Sequence, residues 1–375
     1  MRTRRAARWS ALAGLLGLVA IAVVLARLAD ALVLTLGLAV PAAAPWLEPL
    51  GAPVTREAFA YAAAGGAVEA DLYRPRHPRG ALLLVHGLSP AGRRHADLVR
   101  LARLLAQRGQ AVLVPHFAGL AAFRLSGHEV EEVRAGLRAL RALHPSVGVA
   151  GFSFGAGPAL LAAVDEPAVR VVGCFGGYAH LRRVIGFVTT GEHAFDGRRY
   201  VVRQEEYNRW KLLALLVGFV QDDGDRQRLA AVTRARLDDP AADTAALESG
   251  LGPEGRAILA LVRNRRAEAV EPLLAALPPG AQAALDRLSP AGAVARLGAR
   301  LLVAHGVDDP SIPFTESLRL AAEAGDRARL AILGGFHHTG PGERWPALGR
   351  LGDAVRLLRL GDDLLATDGL GAART

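Results

Sequence analysis

The stretch that most constrains this chain is Val147-Gly148-Val149-Ala150-Gly151-Phe152-Ser153-Phe154-Gly155-Ala156-Gly157. An apolar run with β-branched residues leads into Gly-x-Ser-x-Gly, and a helix of small and apolar residues, Ala156 to Val164, follows at once. Strand, sharp turn and helix in that order form the setting in which this motif carries meaning. The serine is lifted above the end of its strand, and the flanking glycines remove side chains that so tight a turn would crush. The first N–H groups of the helix then lie beside the hydroxyl, where they can receive developing negative charge. A chain with 42 glycines also produces the motif by accident, so its weight depends on what surrounds it.

The surroundings alternate. Val68 to Tyr73 has the period of a half-exposed strand, and Ala81 to Val85 is the continuous apolar run of a strand buried on both faces. Leu98 to Gln107 has helical spacing, Ala111 to Val114 is again a strand, and Val130 to Leu143 a helix. Val169 to Phe175 continues the pattern, which returns after a break at Arg300 to Ala304 and Ala328 to Leu333. Such alternation predicts an α/β fold with a doubly wound, mostly parallel sheet. The break contains helical segments without a convincing strand and predicts a helical cap inserted into the sheet domain. Expected boundaries are 1–44 for an N-terminal segment, 45–64 for a Pro-rich linker, 65–178 and 291–360 for the sheet core, 179–290 for the cap, and 361–375 for a frayed tail.

The N-terminal segment has its own signature. Arg2, Arg4, Arg5 and Arg8 precede an uncharged run from Ser10 to Ala26, and Ala31 to Ala44 is apolar again beyond Arg27 and Asp30. A helix continuing through that interruption is long enough to span a bilayer. The arginine bias places the N-terminus in the cytoplasm and the following domain outside, in the periplasm. The expectation is a single retained anchor. A cleaved signal peptide, which shares the positive start and apolar centre, is the rival.

Charge and cysteine content narrow the chemistry. The formal charge is +9, and arginine supplies it, since Lys211 is the only lysine. The arginines are scattered rather than gathered into a stripe with aromatics, so nucleic acid is not an expected partner. Cys174 is alone, which leaves no disulfide, and the histidines form no pattern with carboxylates at metal-ligand spacing. No cofactor and no metal are expected.

Serine becomes a nucleophile only when a base takes its proton and a carboxylate orients that base. Both partners must follow later strands, acid before base. After the strand at Arg300 comes His305-Gly306-Val307-Asp308-Asp309-Pro310-Ser311-Ile312-Pro313, and after the strand at Ala328 comes Gly334-Gly335-Phe336-His337-His338. Ser153, Asp309 and His337 therefore fall on loops at one carboxyl edge of the sheet, where ligands bind in doubly wound folds.

With these residues in place, the chain resembles the α/β-hydrolase superfamily, in particular its dienelactone-hydrolase-like and prolyl-oligopeptidase-like members. The resemblance covers about residues 65–180 and 290–360 and rests on His86-Gly87, on the elbow Gly151 to Gly155, and on Gly306 to Pro313. The resemblance aligns the acid with Asp309 rather than its neighbour Asp308. Counting from Gly334 favours His337 as the base, with His338 the alternative. The resemblance also implies an oxyanion hole from the backbone N–H groups of Leu88 and Phe154. One departure is Pro115-His116, where relatives often carry Pro-Asp. His86, His116 and His305 are expected to be structural, and the apolar stretch Trp210 to Val220 to pack over the active site, with a lipid-facing lid as the lesser possibility.

The function this predicts is hydrolysis of a carboxylic ester or related acyl substrate, a small molecule, through an acyl-enzyme on a membrane-tethered domain. Acyl transfer from the same triad, and a non-catalytic binding protein on the same fold, are the alternatives. The sequence carries no motif that names the substrate or the oligomeric state.

Overall fold

The computed structural model describes residues 2–336, 338 and 347–367. In chain order its strands are β1 (Val54–Ala63), β2 (Gly66–Pro75), β3 (Gly80–Val85), β4 (Gln110–Pro115), β5 (Val147–Phe152), β6 (Val169–Phe175), β7 (Glu192–Phe195), β8 (Arg198–Val201), β9 (Arg300–Gly306) and β10 (Ala328–Leu333). The longer helices are α1 (Arg2–Ala39), α2 (Ala96–Gln107), α3 (His128–Arg141), α4 (Ala156–Ala163), α5 (Leu181–Thr190) and α6 (Glu206–Val217). They continue with α7 (Asp223–Asp238), α8 (Pro253–Arg263), α9 (Pro279–Arg287), α10 (Phe314–Ala324) and α11 (Ala347–Leu365). Eight strands make one sheet in the order β1-β2-β4-β3-β5-β6-β9-β10, antiparallel at the β1 and β2 edge and parallel elsewhere.

The parallel strands form where the apolar runs lie. Every residue of β3 and β4 is buried, as strands covered on both faces require. Helix α2 covers one face with Leu98, Leu101, Ala102 and Leu105, spaced so that a single stripe turns inward. Fully burying each such leucine stabilises the fold by about 1.5–3 kcal/mol.

Strand register gathers the loops. Val85 pairs with Gly151, Phe152 with Phe175, Phe175 with Ala304, and Gly306 with Leu333. The turns after β3, β5, β9 and β10 thus leave the sheet side by side on one edge.

Four expectations change. Residues 54–63, assigned to the linker, form β1, whose Phe59, Tyr61 and Ala63 alternate inward among alanines too neutral to announce a strand. The insertion holds a hairpin, β7 with β8, turned at Asp196-Gly197 with both residues at positive φ (49° and 72°), the conformation that Asp-Gly favours. The tail is ordered through Thr367, whose buried hydroxyl lies 2.7 Å from Gln110 Oε1, while Gln110 Nε2 donates to the carbonyl of Leu365. The apolar stretch at Trp210, expected to pack over the active site, instead buries Trp210, Leu213, Leu216 and Phe219 in the main core, which also leaves no lipid-facing lid.

Helix α1 runs unbroken for 38 residues, and its Gly17–Ala39 part (mean hydropathy 2.3) is long and apolar enough to cross a membrane. Leu18, Val19, Ile21, Val23 and Leu25 are exposed. Lower down the helix docks on the domain. Ala31 and Leu34 are buried, and Gly37 approaches α2 so closely that a Cβ there would stand 2.8 Å from the methyls of Leu104. Arg27 pairs with Asp362 at 3.0 Å, and Asp30 with Arg79 at 2.8 Å and Arg108 at 3.4 Å.

Candidate active site

The turn after β5 holds Ser153 at φ 52°, a left-handed conformation rare outside glycine and worth about 1–3 kcal/mol of strain. Its glycines are required by contact. A Cβ on Gly151 would lie 2.5 Å from the Ala156 Cα, and one on Gly155 would strike the His86 carbonyl oxygen. Gly87 is equally tight, since a Cβ there would come within 2.9 Å of the Ser153 Cβ. The loop carrying Leu88 is therefore pressed against the serine.

Ser153, His338 and Asp309 meet. The His338 Nε2 stands 2.7 Å from Ser153 Oγ, and its Nδ1 stands 2.6 Å from Asp309 Oδ2. With Nδ1–H donating to the carboxylate, Nε2 accepts from the serine hydroxyl. Of the two adjacent histidines weighed as the base, His338, the alternative, lies in this chain of hydrogen bonds. His337 lies outside the described residues.

Asp309 is 1% exposed and fully engaged. Its Oδ1 accepts the N–H groups of Ser311 (2.8 Å) and Ile312 (3.0 Å), and its Oδ2 faces His338 and, at 3.2 Å, His305 Nε2. Burial pushes the carboxyl up, but the His338 charge and the hydrogen bonds from His305 and His338 outweigh it and hold it below the usual carboxylate range. Asp308 is exposed and makes no such set of contacts.

His305 was expected to be no more than a satisfied polar residue. It accepts from the Ser317 hydroxyl at Nδ1 (2.6 Å) and directs Nε2–H to the Ile312 carbonyl (2.9 Å) and to Asp309. It is thus a second support for the acid. His86 is a brace of another kind. Its Nδ1–H donates to the Gly87 carbonyl (2.8 Å), its Nε2 accepts from the Phe117 N–H (3.0 Å), and burial lowers its pKa to about 4. A neutral ring is what that pair of bonds needs. The insertion braces the acid loop as well, through Asn208 Nδ2 on the Pro310 carbonyl (3.0 Å). Burial lowers the pKa of Lys211 on the same helix α6, against the attraction of Asp309. Asn208 carried no signal in the sequence, since it lies about a hundred residues from the loop it serves.

In front of the triplet lies a cavity of about 290 Å³ lined by Ser153, His338, His86 and Leu88 together with apolar side chains of α1, α2 and α11. Among the described residues that line it, none belongs to 179–290. Phe154 packs its ring 5.6 Å from that of Tyr178 behind the serine. Cys174 lies in β6 with its thiol pushed up to about 12 by burial, which keeps it inert. Among the described residues no group of three or more His, Cys, Asp or Glu is arranged to hold a metal ion.

No protein-family profile matches the chain, and no curated protein matches its sequence. Solved structures do. The chain is similar to an acylaminoacyl peptidase from Pyrococcus horikoshii (11% identity, TM-score 0.46, 85% of this chain and 42% of that one). It is also similar to the α/β hydrolase GrgF from Penicillium sp. (16%, TM-score 0.49, 83% and 98%) and to a dienelactone hydrolase from Anabaena variabilis (15%, TM-score 0.44, 83% and 96%). The chain thus spans about two-fifths of the peptidase's length. By its own strand order and its own strained serine turn, the chain has the α/β-hydrolase fold.

Proposed function

We propose that the chain is a membrane-tethered serine hydrolase acting on carboxylic esters. The observation that carries this reading is the continuous hydrogen-bond path from Asp309 through His338 to Ser153. Ser153 Oγ attacks the ester carbonyl carbon while its proton passes to His338 Nε2. The negative charge that moves to the carbonyl oxygen is received by the N–H groups of Leu88 and Phe154, each worth about 3–4 kcal/mol when lost. Collapse expels the alcohol, which takes the proton from His338 and leaves an acyl-Ser153. Water, deprotonated by His338, then attacks the acyl carbon, and the carboxylic acid departs as Ser153 regains its proton. Asp309 stays ionised throughout, holds the ring in the tautomer with Nδ1–H, and stabilises the imidazolium.

An ester is favoured over an amide as the commoner chemistry of such sites. Helix α1 serves as the anchor, with the domain outside the cytoplasm by the arginine bias of the N-terminus, and residues 179–290 brace the acid loop as the cap. Labelling of the full-length protein by a fluorophosphonate, read by intact mass, tests the assignment. One adduct is expected in the wild type and in His337→Ala, and none in Ser153→Ala or His338→Ala. An adduct that survives His338→Ala but disappears in His337→Ala would return the base to His337. A folded wild type without any adduct would overturn the reading.

A further inference from the structure

The triplet opens into a cavity that the catalytic chemistry does not explain. Its floor is the sheet edge, but its walls are Leu34 and Leu38 of α1, Leu101 of α2, and Leu357, Leu360 and Leu364 of α11. The hydroxyl of Thr35, also in the lining, is spent on the Ala31 carbonyl at 2.8 Å. Of the charged side chains in the lining, Asp97 and Arg100 pair with each other at 2.9 Å, and the walls beyond them are mostly leucine. The volume sits at the small end of the ~300–1,000 Å³ usual for ligand pockets, enough for a chain rather than a bulky ring system.

The same helix shows a second apolar face. Leu25, Leu28, Leu32 and Leu36 form an exposed stripe at helical spacing, continuous with the exposed side chains of the upper part of α1, and Trp46, 83% exposed, and Leu50 stand just beyond its end. One side of α1 thus lines the cavity at Ser153, while the other carries the surface that suits lipid down to the level of the cavity. An exposed tryptophan is a side chain favoured at a membrane interface.

We propose that the site takes esters of long acyl chains held in the membrane, the acyl chain lying along the leucines of α1 and α11 that line the cavity, with its ester carbonyl at Ser153. The inference rests on the serine-hydrolase reading above and adds the substrate class. The docked half of α1 then does two jobs, fixing the domain to the bilayer and forming the wall against which the acyl chain lies.

The test uses the full-length protein in phosphatidylcholine nanodiscs with 4-nitrophenyl esters from acetate to decanoate, beside fluorophosphonate labelling of Ser153. Each methylene that enters the cavity should raise kcat/KM about fourfold until the cavity is filled. Leu38→Trp, and Leu357→Trp from the opposite wall, should move the optimum to shorter chains and lower the decanoate-to-acetate ratio at least tenfold. A second arm places 4-methylumbelliferyl oleate either in the nanodisc that holds the enzyme or in separate vesicles. Turnover should be at least tenfold faster in the first. A flat chain-length profile with Ser153 still labelled, or one that neither tryptophan shifts, overturns the acyl cavity. Equal turnover of the oleate from both sources overturns entry from the membrane. Loss of labelling in the wild type fells the hydrolase reading, and this inference with it.

Discussion

Asp309 and the turn of Ser153 are shaped largely by residues close by in the chain, whereas the cavity before them is closed by α1 and α11 from opposite ends of the sequence. Ser311 and Ile312 hold the acid from two and three residues off, and glycines on either side of Ser153 shape its turn. Arg27 and Asp362, which clamp the wall, lie 335 residues apart. The first region is made of directional bonds to buried charge, where one lost partner leaves another unsatisfied. The second is made of leucine contacts and half-exposed ion pairs, where a loss is spread over many neighbours. The polar region should therefore fail abruptly and the apolar one by degrees.

Asp309→Asn probes the abrupt side and should have the largest effect. The amide cannot hold His338 in its working tautomer, so kcat on a 4-nitrophenyl ester should drop about 10⁴-fold. A drop below tenfold would mean that His305 or the loop positions His338 without the carboxylate.

His86 tests whether the braces behave as the triplet does. Its folded pKa of about 4 lies below the ordinary 6.5, so the unfolded chain binds a proton that the native state refuses between those values. Stability from this group is complete above pH 6.5 and declines as pH falls toward 4, by up to about 3 kcal/mol. His86→Gln should flatten that part of the curve in urea unfolding. Asp309, with its depressed pKa, loses its own contribution only below the usual carboxylate range. An unchanged slope in His86→Gln would show that the ring is protonated in the native state.

The wall should yield more gently. Gly37→Val would push a side chain into the Leu104 methyls, a flexible obstacle, and should lower stability by about 1–3 kcal/mol. Arg27→Gln should have the smallest effect, under about 1 kcal/mol in thermal unfolding, because both members of its ion pair are about a third exposed. If Arg27→Gln proved the more damaging of the two, charge rather than packing would hold the wall and the contrast drawn here would break.

The same contrast explains what could be read from the sequence. The strands at Ala81, Val147 and Arg300 and the turn at Ser153 announce themselves in local pattern, because continuous burial and tight turns demand particular residues in place, whereas only the family resemblance tells Asp309 from Asp308. His338 against His337 is a one-residue choice that no local pattern makes. Strand β1 was hidden by alanines, and the β7–β8 hairpin was overlooked although Asp196-Gly197 marks it. His305 and Asn208 as supports of the acid, and Leu34, Leu38, Leu360 and Leu364 as cavity walls, depend on contacts between distant segments. A leucine in a span and a leucine beside a substrate look alike until the chain closes.

Helix α1 continues through Arg27 and Asp30 without a break and is bolted to the domain at both residues. As the proposed anchor, a rod of this kind, rising about 1.5 Å per residue, would set the proposed reaction centre at one height and one tilt, where a slack leash would let it sweep a hemisphere. Every copy would face the bilayer in the same attitude, and encounters with substrate would become a search in two dimensions. For the same reason, a shortened version that begins after residue 44 would be missing one side of its cavity, and its loss of activity would report a broken wall rather than a lost address.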